Sequence, residues 1–123
     1  MVEDEMKVQV SRVSTVVLAI PTSKNSMFLS TNDISKIPYN NVDILLFYKT
    51  PDVTHAEKDF PLIVEKLKAS LSLVLVDFYP FAGRLDMKGG ESGRPQIDCN
   101  DEGVEFVEAT IDVSFQDVEM DDF

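Results

Sequence analysis

The sequence predicts a two-layer α/β unit in which one long helix packs on a mixed or antiparallel sheet. Three observations carry this. Residues 60–76 repeat apolar side chains at steps of three and four, the spacing of one helix face. Several short stretches are β-branched or alternate apolar with polar, as strands do. Glycine- and proline-rich turns separate them, giving the order β, β, α, β, β, β.

The first strand is predicted over residues 7–18, "KVQVSRVSTVVL", and Pro21 stops it. Its alternation slips near Arg12 and Val13, which predicts a bulge. Residues 21–41 are turn-rich, with short helical turns expected around 28–34. "VDILLFY", residues 42–48, places Val42, Ile44, Leu46 and Tyr48 on one face and Leu45 and Phe47 on the other. Apolar on both faces, it should be buried inside the sheet. Asp59 can cap the long helix, with Pro61 in its first turn, where an amide proton is not needed. The helix stripe is Phe60, Ile63, Val64, Leu67, Leu71, Val74 and Leu75, with Glu65, Lys66 and Lys68 on the other side. Pro80 ends the helix near Val76, since the residue before proline avoids helical geometry. "FAGRLDM" and "PQIDCN" read as a hairpin joined by "KGGESGR". "NDEG" is a turn in which Gly103 suits a left-handed conformation. "VEFVEATI" is a last strand, and "FQDVEMDDF" begins a helix.

Composition narrows the function. At 123 residues the chain is one domain, and 44% hydrophobic residues is too many for disorder. No apolar run reaches the roughly 18 residues of a membrane helix. The acidic start "MVEDEMKVQV" is unlike a signal or transit peptide, so a cytoplasmic protein without membrane attachment is expected. One cysteine allows no internal disulfide. A net charge of −11 repels nucleic acid. Eleven of the acidic residues follow position 90, against the single Arg94; they read as a solvated strand and helix surface, or as a segment whose basic neighbour is absent, rather than as a partner-binding tail.

Three features could carry chemistry. His55 and Asp59 in "HAEKD" fit the pattern His-x-x-x-Asp, in which the histidine acts as general base. The segment lies in a polar loop, however, and Asp59 is already wanted as a helix cap. "GGESG" lacks the following helix and Lys-Ser/Thr pair of a phosphate loop, so it reads as a turn. Cys99 has no histidine predicted nearby and reads as a buried, inert thiol. One histidine and one cysteine make no zinc set.

"FPLIVEKLKASLSLVLVDFYPFAGRL" followed by "GRPQIDCNDEGVEFVEA" resembles the N-terminal part of the plant BAHD acyltransferases, with "VSRVSTVVLAIPT", "FLSTNDIS" and "VDILLFYKTP" in the family's order. "IDCNDEGVEFVEA" is similar to the branch that transfers hydroxycinnamoyl groups. The resemblance implies an incomplete N-terminal acyltransferase domain over residues 1–123, part of a chloramphenicol acetyltransferase-like fold. It implies acyl transfer from acyl-CoA, a co-substrate rather than a bound cofactor, to a small alcohol or amine. The family's catalytic His-x-x-x-Asp follows the part matched here, and its Asp-Phe-Gly-Trp-Gly lies near the far C-terminus. Neither is present, and the chain contains no tryptophan, so a truncated member, inactive alone, is expected. "HAEKD" precedes Tyr79 and Pro80 and cannot stand in for the catalytic motif.

Tyr79, Pro80, Gly83 and Arg84 are the family-signature positions, and their expected roles are structural. Tyr79 and Phe81 pack on the sheet, Pro80 stops the helix, Gly83 permits a close backbone approach, and Arg84 pairs with Asp86 or Asp98. By the resemblance, Ile44 and Leu46 are candidates for the acceptor pocket, with sheet core as the plainer reading. The sheet face that would meet the rest of such a domain is a candidate surface for association, including with a full-length relative.

Overall fold

A computed structural model describes residues 8–37, 43–49, 56–90 and 93–113. Strand β1 is Val8–Val16, and it pairs antiparallel with β5, Val104–Ile111, across the whole length of the described chain. The register shifts between Val10 and Arg12, a bulge beside the predicted slip. Strands β2 (Asn25–Phe28), β3 (Arg84–Asp86) and β4 (Gln96–Cys99) form a second antiparallel sheet in the order β2-β4-β3. Helix α1 is Thr31–Lys36 and helix α2 is Ala56–Asp77. The expected α/β class with one main helix is present, built among the described residues on two small sheets rather than one.

Alternation along β5 sorts the first sheet into two faces. Val104, Phe106 and Glu108 face α2 together with Val16, and Val104 and Phe106 pack against the core of Val16, Leu18, Leu75 and Ala82. From α2 the core takes Leu75, 3% exposed, and the half-buried Leu71 and Val76. Each buried leucine or valine contributes about 1.5–3 kcal/mol. Past β1 the chain is stitched to the helix: Ser72 Oγ–H donates to the Val17 carbonyl at 2.7 Å, and the Ala19 amide donates to the Ser72 carbonyl at 3.0 Å.

Several expectations are corrected. Residues 43–49 form no strand, and Ile44, Leu46 and Tyr48 are 76%, 70% and 84% exposed. A strand apolar on both faces gains only when neighbours cover both faces, and neither described sheet includes this one. Helix α2 starts at Ala56, so Asp59 is inside the helix rather than its cap, and Pro61 is beyond the first turn. Ala56, Glu57 and Lys58 are good helix formers that extend the helix backwards, offsetting the hydrogen bond that Pro61 cannot donate. The helix stripe is buried only at Val64 and Leu75 and half-buried at Leu71, while Phe60, Ile63, Leu67 and Val74 stand 41–54% exposed. Two strands are too narrow to cover an arc that wide.

Lys68 was expected on the outer side of α2, but it faces the sheet. Its Nζ lies 5.2 Å from the centre of the Phe106 ring and 3.4 Å from Glu108 Oε2. Its aliphatic stem crosses the apolar surface while the ammonium reaches a carboxylate. Strand β2 was not anticipated in the turn-rich segment; it exists because β4 offers an edge, with Asn25 opposite Cys99 and Phe28 opposite Gln96. Helix α1 begins later than the predicted turns, set by a capping box: Ser30 Oγ accepts from the Asp33 amide, and the Asp33 carboxylate accepts from the Ser30 amide. His55 and the predicted C-terminal helix lie outside the described residues.

Candidate functional site

The signature stretch folds into a joint at the end of α2. Helical bonding runs on to Phe78, whose amide donates to the Val74 carbonyl at 3.0 Å. Pro80 cannot continue the pattern, and Tyr79–Ala82 tightens into a 3-10 turn. The Gly83 amide then donates to the Pro80 carbonyl at 3.1 Å, and β3 begins at Arg84. Tyr79 packs against the core as expected, and Ala82 is completely buried in it. Phe81 is not on the sheet: it is 75% exposed, its ring edge-on to Phe78 at 6.5 Å between ring centres. In a 3-10 turn, side chains three apart eclipse. With Ala82 turned inward, Phe81 points out.

Two glycines let the joint close. A Cβ on Gly83 would lie 2.3 Å from the Asp98 carbonyl oxygen, so the expected close approach is present, at an ordinary φ of −86°. Gly103 has φ +96°, as its left-handed assignment requires, and a Cβ there would lie 2.4 Å from the Val16 carbonyl oxygen. The Gly103 amide donates to the Ala82 carbonyl at 2.9 Å. Its own carbonyl accepts from Arg84 Nη1 at 2.9 Å, and the same nitrogen reaches the Gly83 carbonyl at 2.8 Å. The Arg84 Nε–Glu102 Oε2 distance is 3.1 Å. This corrects the expected pairing with Asp86 or Asp98: the guanidinium follows the free carbonyls of the turn before β5 and takes its carboxylate there. Asp86 instead accepts from the Lys88 and Gly89 amides, at 3.0 and 3.1 Å, and so shapes the glycine-rich turn.

A second fastening sits on the same turn and was not foreseen. Asp101, at φ +58°, accepts from the Thr22 amide at 2.8 Å and from the Thr22 hydroxyl at 2.5 Å. These bonds hold the Asp101 carboxyl below its usual pKa. They tie the loop after β1 to the β4–β5 turn. The one hint was "NDEG", since Asp tolerates a left-handed conformation. Ala82 as core was also missed; a small residue beside a glycine gives no periodic signal.

This joint positions elements and offers no nucleophile with its base. Cys99 is completely buried, and burial pushes its thiol pKa up. Among the described residues no three His, Cys, Asp or Glu side chains could hold a metal ion, and no helix is long and apolar enough to cross a membrane. Tyr79, Pro80, Gly83 and Arg84 are brought into one unit, whereas Ile44 and Leu46 lie on the separate, irregular stretch 43–49.

Comparison with known proteins gives this joint its context. The profile of the Transferase family matches residues 6–122. Anthranilate N-benzoyltransferase protein 1 of Dianthus caryophyllus is 38% identical over 109 residues, 85% of this chain and 24% of its own length. Rosmarinate synthase of Plectranthus scutellarioides is 34% identical over 119 residues, 96% of this chain and 25% of its own. Putrescine hydroxycinnamoyltransferase 1 of Oryza sativa subsp. japonica is 34% identical, with 92% and 24% covered. The chain therefore spans about a quarter of the length of the curated relatives it matches. With a match running from residue 6 to residue 122 and through every part of the joint, the chain belongs to the Transferase family, the BAHD acyltransferases of plants.

Proposed function

We propose that residues 1–123 are the incomplete N-terminal part of a BAHD acyltransferase domain, whose whole protein moves an acyl group from acyl-CoA to a small alcohol or amine. The observation that supports this most is the family match over residues 6–122. In that reaction the acceptor oxygen or nitrogen bonds to the acyl carbonyl carbon and the C–S bond of the thioester breaks. The acceptor's proton passes to a general base and then to the departing thiolate. Within this assignment the 79–84 joint is scaffold. Hydroxycinnamoyl and benzoyl donors are the first to try, following the names of the relatives. A soluble, cytoplasmic setting without nucleic acid is part of the same reading.

Residues 1–123 alone are inactive in this reading, because general-base catalysis, worth roughly 10²–10⁴-fold, has no residue to perform it. The test mixes the purified chain with p-coumaroyl-, benzoyl- and acetyl-CoA and with alcohol and amine acceptors. Thioester loss stays at blank. Loss above blank that disappears in His55→Ala would overturn the assignment of the base to another part of the protein.

Ile44 and Leu46 are proposed to border the acceptor pocket of the whole enzyme. Their exposure of 76% and 70% leaves them free to meet another surface. Exchanging these two positions into the Dianthus relative should change the ratio of kcat/KM between acceptors. An unchanged ratio assigns them to packing instead.

A further inference from the structure

The two-stranded sheet has one covered face and one bare one. On the bare face the ladder places Val8 opposite Ile111, Val10 opposite Ala109 and Val13 opposite Val107. Six apolar side chains form three adjacent cross-strand pairs, and Thr15 opposite Glu105 makes the polar end of the same face. Val8, Val10, Val13 and Val107 are 55%, 57%, 58% and 46% exposed. Among the described residues β1 pairs with β5 alone, so each strand keeps one edge with no described partner. A contiguous apolar face beside an unblunted edge is a surface that a further element of structure covers well.

We propose that this face is the docking surface for the part of an acyltransferase that lies beyond the matched quarter, and that it accepts that part even when supplied as a separate polypeptide. This rests on the reading under "Proposed function". The occupant is argued from length: the relatives carry about three quarters of their chain outside the region matched here, enough to cover both the face and the edges. A second copy of this chain is the weaker occupant, because each copy carries a net charge of −11 and the two repel.

The test uses the intact chain and a polypeptide made of the Dianthus relative without its matched first quarter. Light scattering should give a one-to-one complex. Val13→Asp and Val107→Asp, at exposed positions, should keep the circular dichroism of the free chain and weaken the complex roughly tenfold or more, since each loses a buried valine and buries a carboxylate. Lys88→Glu, a larger charge change on the glycine-rich turn, should leave affinity within about twofold, as expected of an exposed charge away from the face. A single-chain fusion of the two polypeptides, read by amide hydrogen exchange, should slow exchange at residues 8–13 and 107–111 relative to the free chain. This arm works even if the separate remainder does not fold. Unchanged exchange in the fusion, affinity insensitive to both aspartates, or a stable dimer of this chain alone would each overturn the proposal. Docking without acyl transfer would sustain the surface and refute the enzymatic reading. Transfer that ignores both aspartates would do the reverse.

Discussion

Substituting alanine at three glycines separates the two reasons a glycine can be required. Gly83 has an ordinary φ but no room: its Cβ would sit 2.3 Å from the Asp98 carbonyl oxygen, and such contacts essentially never fall below 3.0 Å. Strand β4 must therefore retreat by about 0.7 Å or more along a ladder of only three residue pairs. Overpacking of this kind costs about 1–3 kcal/mol, and alanine returns about 0.4–1 kcal/mol by restricting the unfolded chain. The expected net loss is about 1–2 kcal/mol. Gly93 is the converse, with φ +68° and nothing within 4 Å of an added Cβ. Its cost is only the roughly 1–2 kcal/mol of a left-handed alanine, about 0.5–1 kcal/mol net. Gly103 combines both, with φ +96° and an approach of 2.4 Å to the Val16 carbonyl oxygen, so about 2–4 kcal/mol is expected. Urea unfolding followed by circular dichroism measures all three. At a slope of about 1.5 kcal/mol per molar, the midpoint falls by roughly 1 M for Gly83→Ala and 2 M for Gly103→Ala. If Gly83→Ala proves as mild as Gly93→Ala, backbone clearance at the joint is not what that position provides.

Three other outcomes are expected. Leu75→Ala should cost about 2–5 kcal/mol in the same urea experiment, and Val74→Ala, at a half-exposed neighbour, clearly less. The Asp101 carboxyl is held below its unfolded value by Thr22, so its contribution is present above the unfolded pKa of about 3.9 and fades as pH falls through the lower folded value. Acid unfolding of Asp101→Gly, which keeps the left-handed backbone but loses the Thr22 bonds, should show less of this decline below pH 4 than the parent. Cys99 should resist a thiol reagent at pH 8 in the folded chain and react fully in urea, because it is buried and its pKa is raised.

What the sequence reveals about this fold depends on whether a residue's partner is local. The bulge beside Arg12, the hairpin of β3 and β4, the stop at Pro80 and the conformation of Gly103 are written in neighbouring residues, and all are present. The capping box of Ser30 and Asp33 is equally local, three residues apart in the chain. The remaining misses concern distant partners. Strand β2 exists only through β4, some 70 residues away in sequence, as in the Gln96–Ser26 bond. Residues 42–48 have strong strand character, but a strand needs a neighbour and neither described sheet gives one. Arg84 had two acids close in sequence and took a third, because carbonyls fixed by the Gly103 turn lay along its path. At the joint, the stop at Pro80 and the close approach at Gly83 were legible, and the Thr22–Asp101 fastening was not.

The joint also explains why the most identifying stretch of the chain is among its least reactive. Between Asp77 and Arg84 this chain reverses from helix to strand within a few residues, leaving little slack. The reversal is closed from three sides: Ala82 by the core, Gly83 by the backbone of β4, and Arg84 by the turn that leads into β5. Each closure tolerates few residue types. Ala82 has no exposed surface, Gly83 has no space for a Cβ, and Arg84 reaches three carbonyls and a carboxylate at once. A mutation at Arg84 should therefore act first on stability. Arg84→Lys, which keeps the charge but loses the planar fork, should lower the urea midpoint nearly as much as Arg84→Met. A lysine that fully restored it would mean that charge opposite Glu102, rather than the geometry of the fork, is what the joint requires.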